Sequence, residues 1–97
     1  MGMSRATKSN NFASALRSIR KAYGLSQEDF SLVSSRTYVS SLERSMKSPT
    51  LSKVDDLAEV LGVHPLTLLT LSYLRSTGAG DLTEVLNTVE KEISGLK

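Results

Sequence analysis

The chain of 97 residues has no cysteine, and this rules out a disulfide framework and a thiolate metal site. That composition fits a reducing compartment. The one histidine, His64, has no clustered carboxylates beside it in the sequence, so it reads as a helix cap, and neither metal nor cofactor is expected. No apolar run approaches the roughly 20 residues that a membrane span needs. Residues 1–25 lack the continuous apolar core of a signal peptide. A cytoplasmic protein with no membrane association is therefore expected. There are no alternating strand-like runs and no repeats. Also missing are a nucleophile paired with a base, a carboxylate pair in an apolar setting and a phosphate-cradling glycine loop, so an enzyme is not expected. The acidic group Asp55, Asp56 and Glu59 reads as a solvated helix face.

Charge is present but unevenly placed. Residues 1–54 carry nine lysines and arginines against three acids, a net +6, whereas residues 55–97 carry three against seven, a net −4. A split of this kind suggests one face that meets a polyanion and another that does not.

The apolar spacing is helical throughout. Residues 1–10 are polar and aperiodic and read as a flexible basic arm. A first helix, capped by Asn10 or Asn11, places Ala15, Leu16, Ile19 and Tyr23 on one face and stops at Gly24. Ser26-Gln-Glu-Asp starts a second short helix that buries Phe30 and Val33; Ser26 is expected to accept the Asp29 amide. Ser34 or Ser35 caps a third, over about 35–45. Pro49 breaks the loop that follows. A fourth runs from about Thr50 to Leu61 with Leu51, Val54, Leu57, Ala58 and Leu61 inward, and Gly62 ends it. Pro65 opens a fifth, to about Arg75, whose leucines point in nearly all directions and so require cover on several sides. "STGAG" (76–80) reads as a linker. Asp81 caps a last helix in which Leu82, Leu86, Val89, Ile93 and Leu96 follow the 4-3-4-3 spacing of a heptad seam. That seam either folds back on its own domain or forms a subunit interface; the uncovered fifth helix favours the interface, with Leu71 and Leu74 contributing.

The third helix is unusual. On a helical wheel Tyr38, Val39 and Leu42 share one narrow arc. Arg36, Thr37, Ser40, Ser41 and Arg44 fall opposite, with no acid near their centre. A solvated face normally mixes opposite charges at i,i+4 spacing. A face of donors suits phosphates or base edges in a major groove, and such a groove accepts one helix with its N-terminal turn leading. Arg36 and Thr37 occupy that turn. Gln27, at the start of the preceding helix, and Lys47, in the loop beyond, are placed for phosphate oxygens. Tyr38 reads equally as core or as a phosphate contact. Arg17 and Lys21 read as general surface charge.

Taken in order, "LRSIRKAYGLSQEDF", "SSRTYVSSLERS" and "SPTLSKVDDLAEVLGV" resemble the Xre/Cro/C1 helix-turn-helix family, the lambda-repressor-like DNA-binding domains. The resemblance covers roughly Phe12 to Leu74. It implies an all-α fold of five helices, here with an added C-terminal helix, from a prokaryotic or phage source. It implies that Gln27 meets the phosphate backbone. It implies that Arg36, Thr37, Ser40 and Ser41 face bases, with Arg44 and Lys47 nearer phosphates. It also implies an ion pair between Arg20 and Glu43 that pins the first helix to the third. Two departures stand out. "SLVSSR" has no glycine where the family has a glycine-containing turn, and that connection is about two residues shorter. Ser45 stands where glycine often follows the recognition helix, and a left-handed serine is less favourable than a glycine.

The expected organisation is an arm (1–10), a DNA-binding domain (11–75), a linker (76–80) and a dimerisation helix (81–97). The expected function is a homodimeric repressor that binds double-stranded DNA. The alternative is the antitoxin of a toxin–antitoxin pair, with a protein partner on the apolar C-terminal surface and its own operator as the DNA.

Overall fold

The computed structural model describes residues 11–74 and 81–96. The arm at 1–10, with Asn10, the linker at 76–80, Arg75 and Lys97 lie outside the described residues. Five α-helices are present: α1 (Phe12–Ala22), α2 (Arg36–Glu43), α3 (Leu51–Leu61), α4 (Pro65–Leu74) and α5 (Leu82–Ser94), with a short 3-10 helix (Gln27–Phe30) between α1 and α2. Among the described residues there is no strand. No single helix there is long and apolar enough to cross a membrane.

Side chains fix where most of these helices begin. Asn11, Ser35, Thr50 and Asp81 each accept an amide of the first turn, satisfying donors that the helix itself leaves open. The 3-10 helix is held by a reciprocal pair: Ser26 Oγ accepts the Glu28 amide at 3.2 Å, and the Asp29 carboxylate accepts the Ser26 amide at 2.6 Å. The Asp29 amide meets the Ser26 side chain, as expected, which completes a capping box, and it also donates to the Ser26 carbonyl. The expected second helix is thus a single tight turn.

One closing geometry recurs at three helix ends. After α1 the Gly24 amide donates to the Lys21 carbonyl and the Leu25 amide to the Arg20 carbonyl. After α3 the Gly62 amide meets Glu59 and the Val63 amide meets Ala58. After α2 the Ser45 amide meets Leu42 and the Met46 amide meets Ser41. This pairing needs a left-handed residue at the turn. Gly24 and Gly62 supply it at φ 70° and 76°, and Ser45 supplies it at φ 60°.

The core is aliphatic apart from Phe30 at its centre and the slightly more exposed Phe12. Phe30, Leu16, Leu42, Leu57, Leu68, Val39 and Val54 are sealed from solvent. Leu25, in the turn after α1, packs against this core, as do Val33 and Tyr38. Helix α4 crosses α1, and the Asn11 amide donates to the Ser72 carbonyl at 2.8 Å, joining the start of one to the end of the other. The Ser72 hydroxyl is itself buried and donates to the Leu68 carbonyl at 2.8 Å.

Three apolar side chains depart from the expected pattern. Leu51, placed inward by periodicity, is 74% exposed. It is the first residue of α3, and side chains there lean back over the preceding loop rather than onto the core. Tyr23 is 56% exposed. It caps the end of α1, past the last helical turn, and lines a groove rather than the core. On α4 only Leu68 among the leucines is fully buried, and Leu66 is exposed.

Helix α5 buries no residue fully. It leans on α4. Between them, closed on the third side by Ile19 of α1 and by Tyr23 at its C-cap, lies a groove of about 480 Å³ lined by Leu66, Leu71, Leu74, Leu82 and Leu86 among others. Val89, Ile93 and Leu96 face solvent.

Candidate nucleic-acid interface

Helix α2 stands on two sealed side chains. Val39 and Leu42 are buried, and Ser35 Oγ accepts the Tyr38 amide at 3.0 Å. The opposite surface presents Arg36, Thr37 and Arg44 as exposed residues and Ser40 as a half-exposed one.

Ser41 does not join them. It is buried, and its hydroxyl donates to the Thr37 carbonyl at 3.0 Å. Its side chain is short enough to fold back on the helix, and the closing turn brings the Met46 amide onto its own carbonyl. The wheel puts Ser41 on the polar side with the base-facing residues, but a wheel does not register that turn. The donor face therefore consists of Arg36, Thr37 and Ser40, with Arg44 at its end.

What fixes the tilt of α2 is the buried carboxylate of Glu43, which is 3% exposed. Arg20 grips it with two nitrogens, Nε at 2.7 Å and Nη2 at 2.8 Å. A two-point contact of this kind fixes orientation as well as distance. Arg20 also donates to the Leu25 carbonyl at 3.0 Å. Gln27 Nε2 donates to Glu43 Oε1 at 3.1 Å, and Arg17 donates to the Glu43 backbone carbonyl. Burial pushes the Glu43 carboxyl up. The hydrogen bonds from Arg20 and Gln27 and the charges of Arg20 and Arg17 together outweigh it, leaving the carboxyl below its ordinary value. The hydrogen bond to Glu43 likewise holds Arg20 above its ordinary value.

Two expectations change here. Gln27, expected at a phosphate, has one of its two side-chain N–H groups committed inward to Glu43. Arg17 is not loose surface charge; it satisfies a carbonyl at the end of α2, where a cation also suits the helix dipole. Sequence reasoning missed a third contact altogether. Lys53, on α3, donates to the Val33 carbonyl at 2.6 Å and lies 5.7 Å from the centre of the Tyr38 ring. It ties α3 to the connection between the 3-10 helix and α2. That connection works without glycine because none of its residues has a positive φ.

Tyr38 packs against the core and is half-buried. Lys47 is exposed in the loop after α2. His64 caps α4, its Nδ1 accepting the Leu66 amide at 3.0 Å. Among the described residues no group of three potential ligands could hold a metal ion.

Comparisons with known proteins match this arrangement. A helix-turn-helix family model covers residues 16–68. No curated protein sequence matches the chain. Among solved structures, the restriction-modification controller protein C.AhdI from Aeromonas hydrophila is 36% identical with a TM-score of 0.56, over 59% of this chain and 89% of that one. A PrgX mutant superimposes with a TM-score of 0.62 at 19% identity, over 73% of this chain and 24% of that one. The PrgX/iCF10 complex gives 0.61 at 20% identity, over 72% and 24%. At that identity the PrgX structures speak to the fold alone, and this chain spans about a quarter of their length. With the matched segment running from α1 into α4, the chain belongs to the Xre/Cro/C1-type helix-turn-helix family of DNA-binding transcriptional regulators.

Proposed function

We propose that this chain is a sequence-specific, homodimeric repressor of the cytoplasm that inserts α2 into the major groove of double-stranded DNA. The observation that carries the reading is the division of α2 into two faces. Val39, Leu42 and Glu43 are consumed in holding the helix, while Arg36, Thr37 and Ser40 present donors outward. Arg36 suits guanine, whose O6 and N7 accept two parallel donors, the hydroxyls of Thr37 and Ser40 suit base edges, and the Thr37 methyl also suits a thymine methyl. Arg44 and Lys47 are assigned to phosphates on either side, where they add affinity without sequence information. Tyr38 and Gln27 stay in that phosphate set only through atoms left over from their inward contacts.

Two copies would present two such helices. The half-sealed groove beside Leu71, Leu74, Leu82 and Leu86, continued by the exposed Val89, Ile93 and Leu96, supplies an apolar surface for the second copy. Half-sites would then lie about 34 Å apart, one turn of duplex. The same surface is what the antitoxin reading would give to a foreign protein. The likeness to a restriction-modification controller supports the regulator over the antitoxin.

Selection of bound sites from random duplex DNA tests the proposal, followed by affinity against salt. A two-fold symmetric site and a log–log salt slope of magnitude roughly 4–8 are expected, from the phosphate contacts of two copies. Selection that returns no preferred sequence, or binding insensitive to Arg36→Ala, would refute it.

A further inference from the structure

One acid stands on the donor surface. Glu28, in the 3-10 helix, has its carboxylate 3.6 Å from the Arg36 guanidinium, and both side chains are about two-thirds exposed. An acid beside a DNA-reading arginine is unfavourable for affinity, because it repels phosphate at every sequence. Yet both partners sit on anchored backbone. The Glu28 amide donates to Ser26 Oγ, and its carbonyl accepts the Ser31 amide. Arg36 is the first residue of α2, directly after the Ser35 cap.

The alternatives open to Arg36 give this pair a purpose. A guanidinium free on a long side chain can reach a phosphate as readily as a base, and a phosphate contact reads nothing. A carboxylate to one side occupies part of the guanidinium and restricts the rotamers of the stem. It leaves other N–H groups for a guanine edge. In water such a pair is weak. Between protein and DNA the surrounding water is thinned, and the same pair strengthens.

We infer that Glu28 is a specificity-determining residue that acts through Arg36: it holds the arginine toward a base edge and away from the phosphates, giving up general affinity for discrimination. The inference rests on Arg36 reading a base, as proposed above.

A two-by-two set of proteins tests it: wild type, Glu28→Gln, Arg36→Ala and the double variant. Each is measured against the selected site, against that site with the base pair lost in Arg36→Ala replaced, and against random duplex. Both side chains are exposed, so all four proteins should share one thermal midpoint, which circular dichroism checks. Glu28→Gln should bind random duplex about 2–5-fold more tightly, because it removes a negative charge from the DNA face. It should also lower discrimination at the Arg36 base pair about 3–10-fold, a part of what a good bidentate contact supplies. In the Arg36→Ala background the same change should leave discrimination at that pair untouched while still tightening general binding. If Glu28→Gln alters discrimination equally in both backgrounds, or in neither, Glu28 is only a charge near phosphates and the inference falls. If Arg36→Ala preserves discrimination at every position, the assignment of Arg36 as a reader falls with it. A result in which only Glu28→Gln fails leaves that assignment standing.

Discussion

Replacing Ser45 by glycine should stabilise the protein, and the structure supplies its own internal standards for the size of the effect. Three helices close with the same pair of amide–carbonyl bonds, and in two of them the left-handed position is glycine, at φ 70° and 76°. The third uses Ser45 at φ 60°. A side chain there brings Cβ against the following carbonyl, at about 1–2 kcal/mol per residue. Glycine removes that contact but gives the unfolded chain more freedom, which returns about 0.5–1 kcal/mol. No hydrogen bond of the Ser45 hydroxyl among the described residues offsets the exchange. The net expectation is a gain of about 0.5–1 kcal/mol, or roughly 3–6 °C in midpoint for a domain of this size. Thermal and urea unfolding of Ser45→Gly measure it directly. Ser48→Gly in the same loop is the control, because Ser48 does not have a positive φ, and it should lower the midpoint slightly. Gly62→Ala should reverse the sign, with a loss of about 1 kcal/mol. There is open space around a Cβ at Gly62, so the loss would come from backbone alone. A midpoint for Ser45→Gly at or below wild type would show that the serine bears no strain, and the argument from the three matching turns would fail.

Glu43→Gln should destabilise by about 2–3 kcal/mol, because it leaves the largely buried Arg20 charge without its counter-ion; replacing Arg20 and Glu43 together by apolar residues should recover much of the loss. The folded carboxyl lies below its ordinary value, so its contribution is full above the unfolded carboxylate value near about 4.3 and is lost as pH falls through the folded value; Glu43→Gln should therefore flatten the acid limb of a stability–pH curve, and an unchanged limb would contradict the assignment. Lys47→Ala should weaken all duplexes alike and reduce the salt slope by about 1 per copy, as seen in titrations at several ionic strengths; loss confined to one base pair would make Lys47 a reader instead. Removal of residues 81–97 should yield a monomer by sedimentation, and an unchanged dimer would move the interface off α5.

Legibility in the sequence followed the range of each interaction. Helices α1 and α3 were readable because their apolar spacing and their stop glycines are local signals, and Gly24 and Gly62 end them as read. The strain at Ser45 was also foreseeable, since the residue type and the position conflict. The contacts of Arg17 with Glu43 and of Lys53 with Val33 were not, for they join residues 26 and 20 apart through long side chains that leave no periodic trace. Arg20 with Glu43 spans 23 residues and was accessible only through resemblance. Ser41 and Leu51 mark the limit of the helical wheel: a wheel assigns an angle, but it does not know where the chain turns after a short helix or how the first residue of a helix leans. The capping serine of the 3-10 helix and its partner Asp29 are legible from the local Ser-Gln-Glu-Asp order, whereas the added contact with the Glu28 amide reflects a turn tighter than an α-helix.

The bond from the Asn11 amide to the Ser72 carbonyl has a practical corollary for anyone who handles this protein. The backbone enters the folded body and approaches its exit toward α5 at one shared spot. A tag, fluorophore or tethered partner spliced immediately ahead of Asn11 would therefore emerge beside the last turn of α4. Attachments at that junction report on, and interfere with, whatever assembles there, so a probe meant to watch groove insertion is better carried elsewhere.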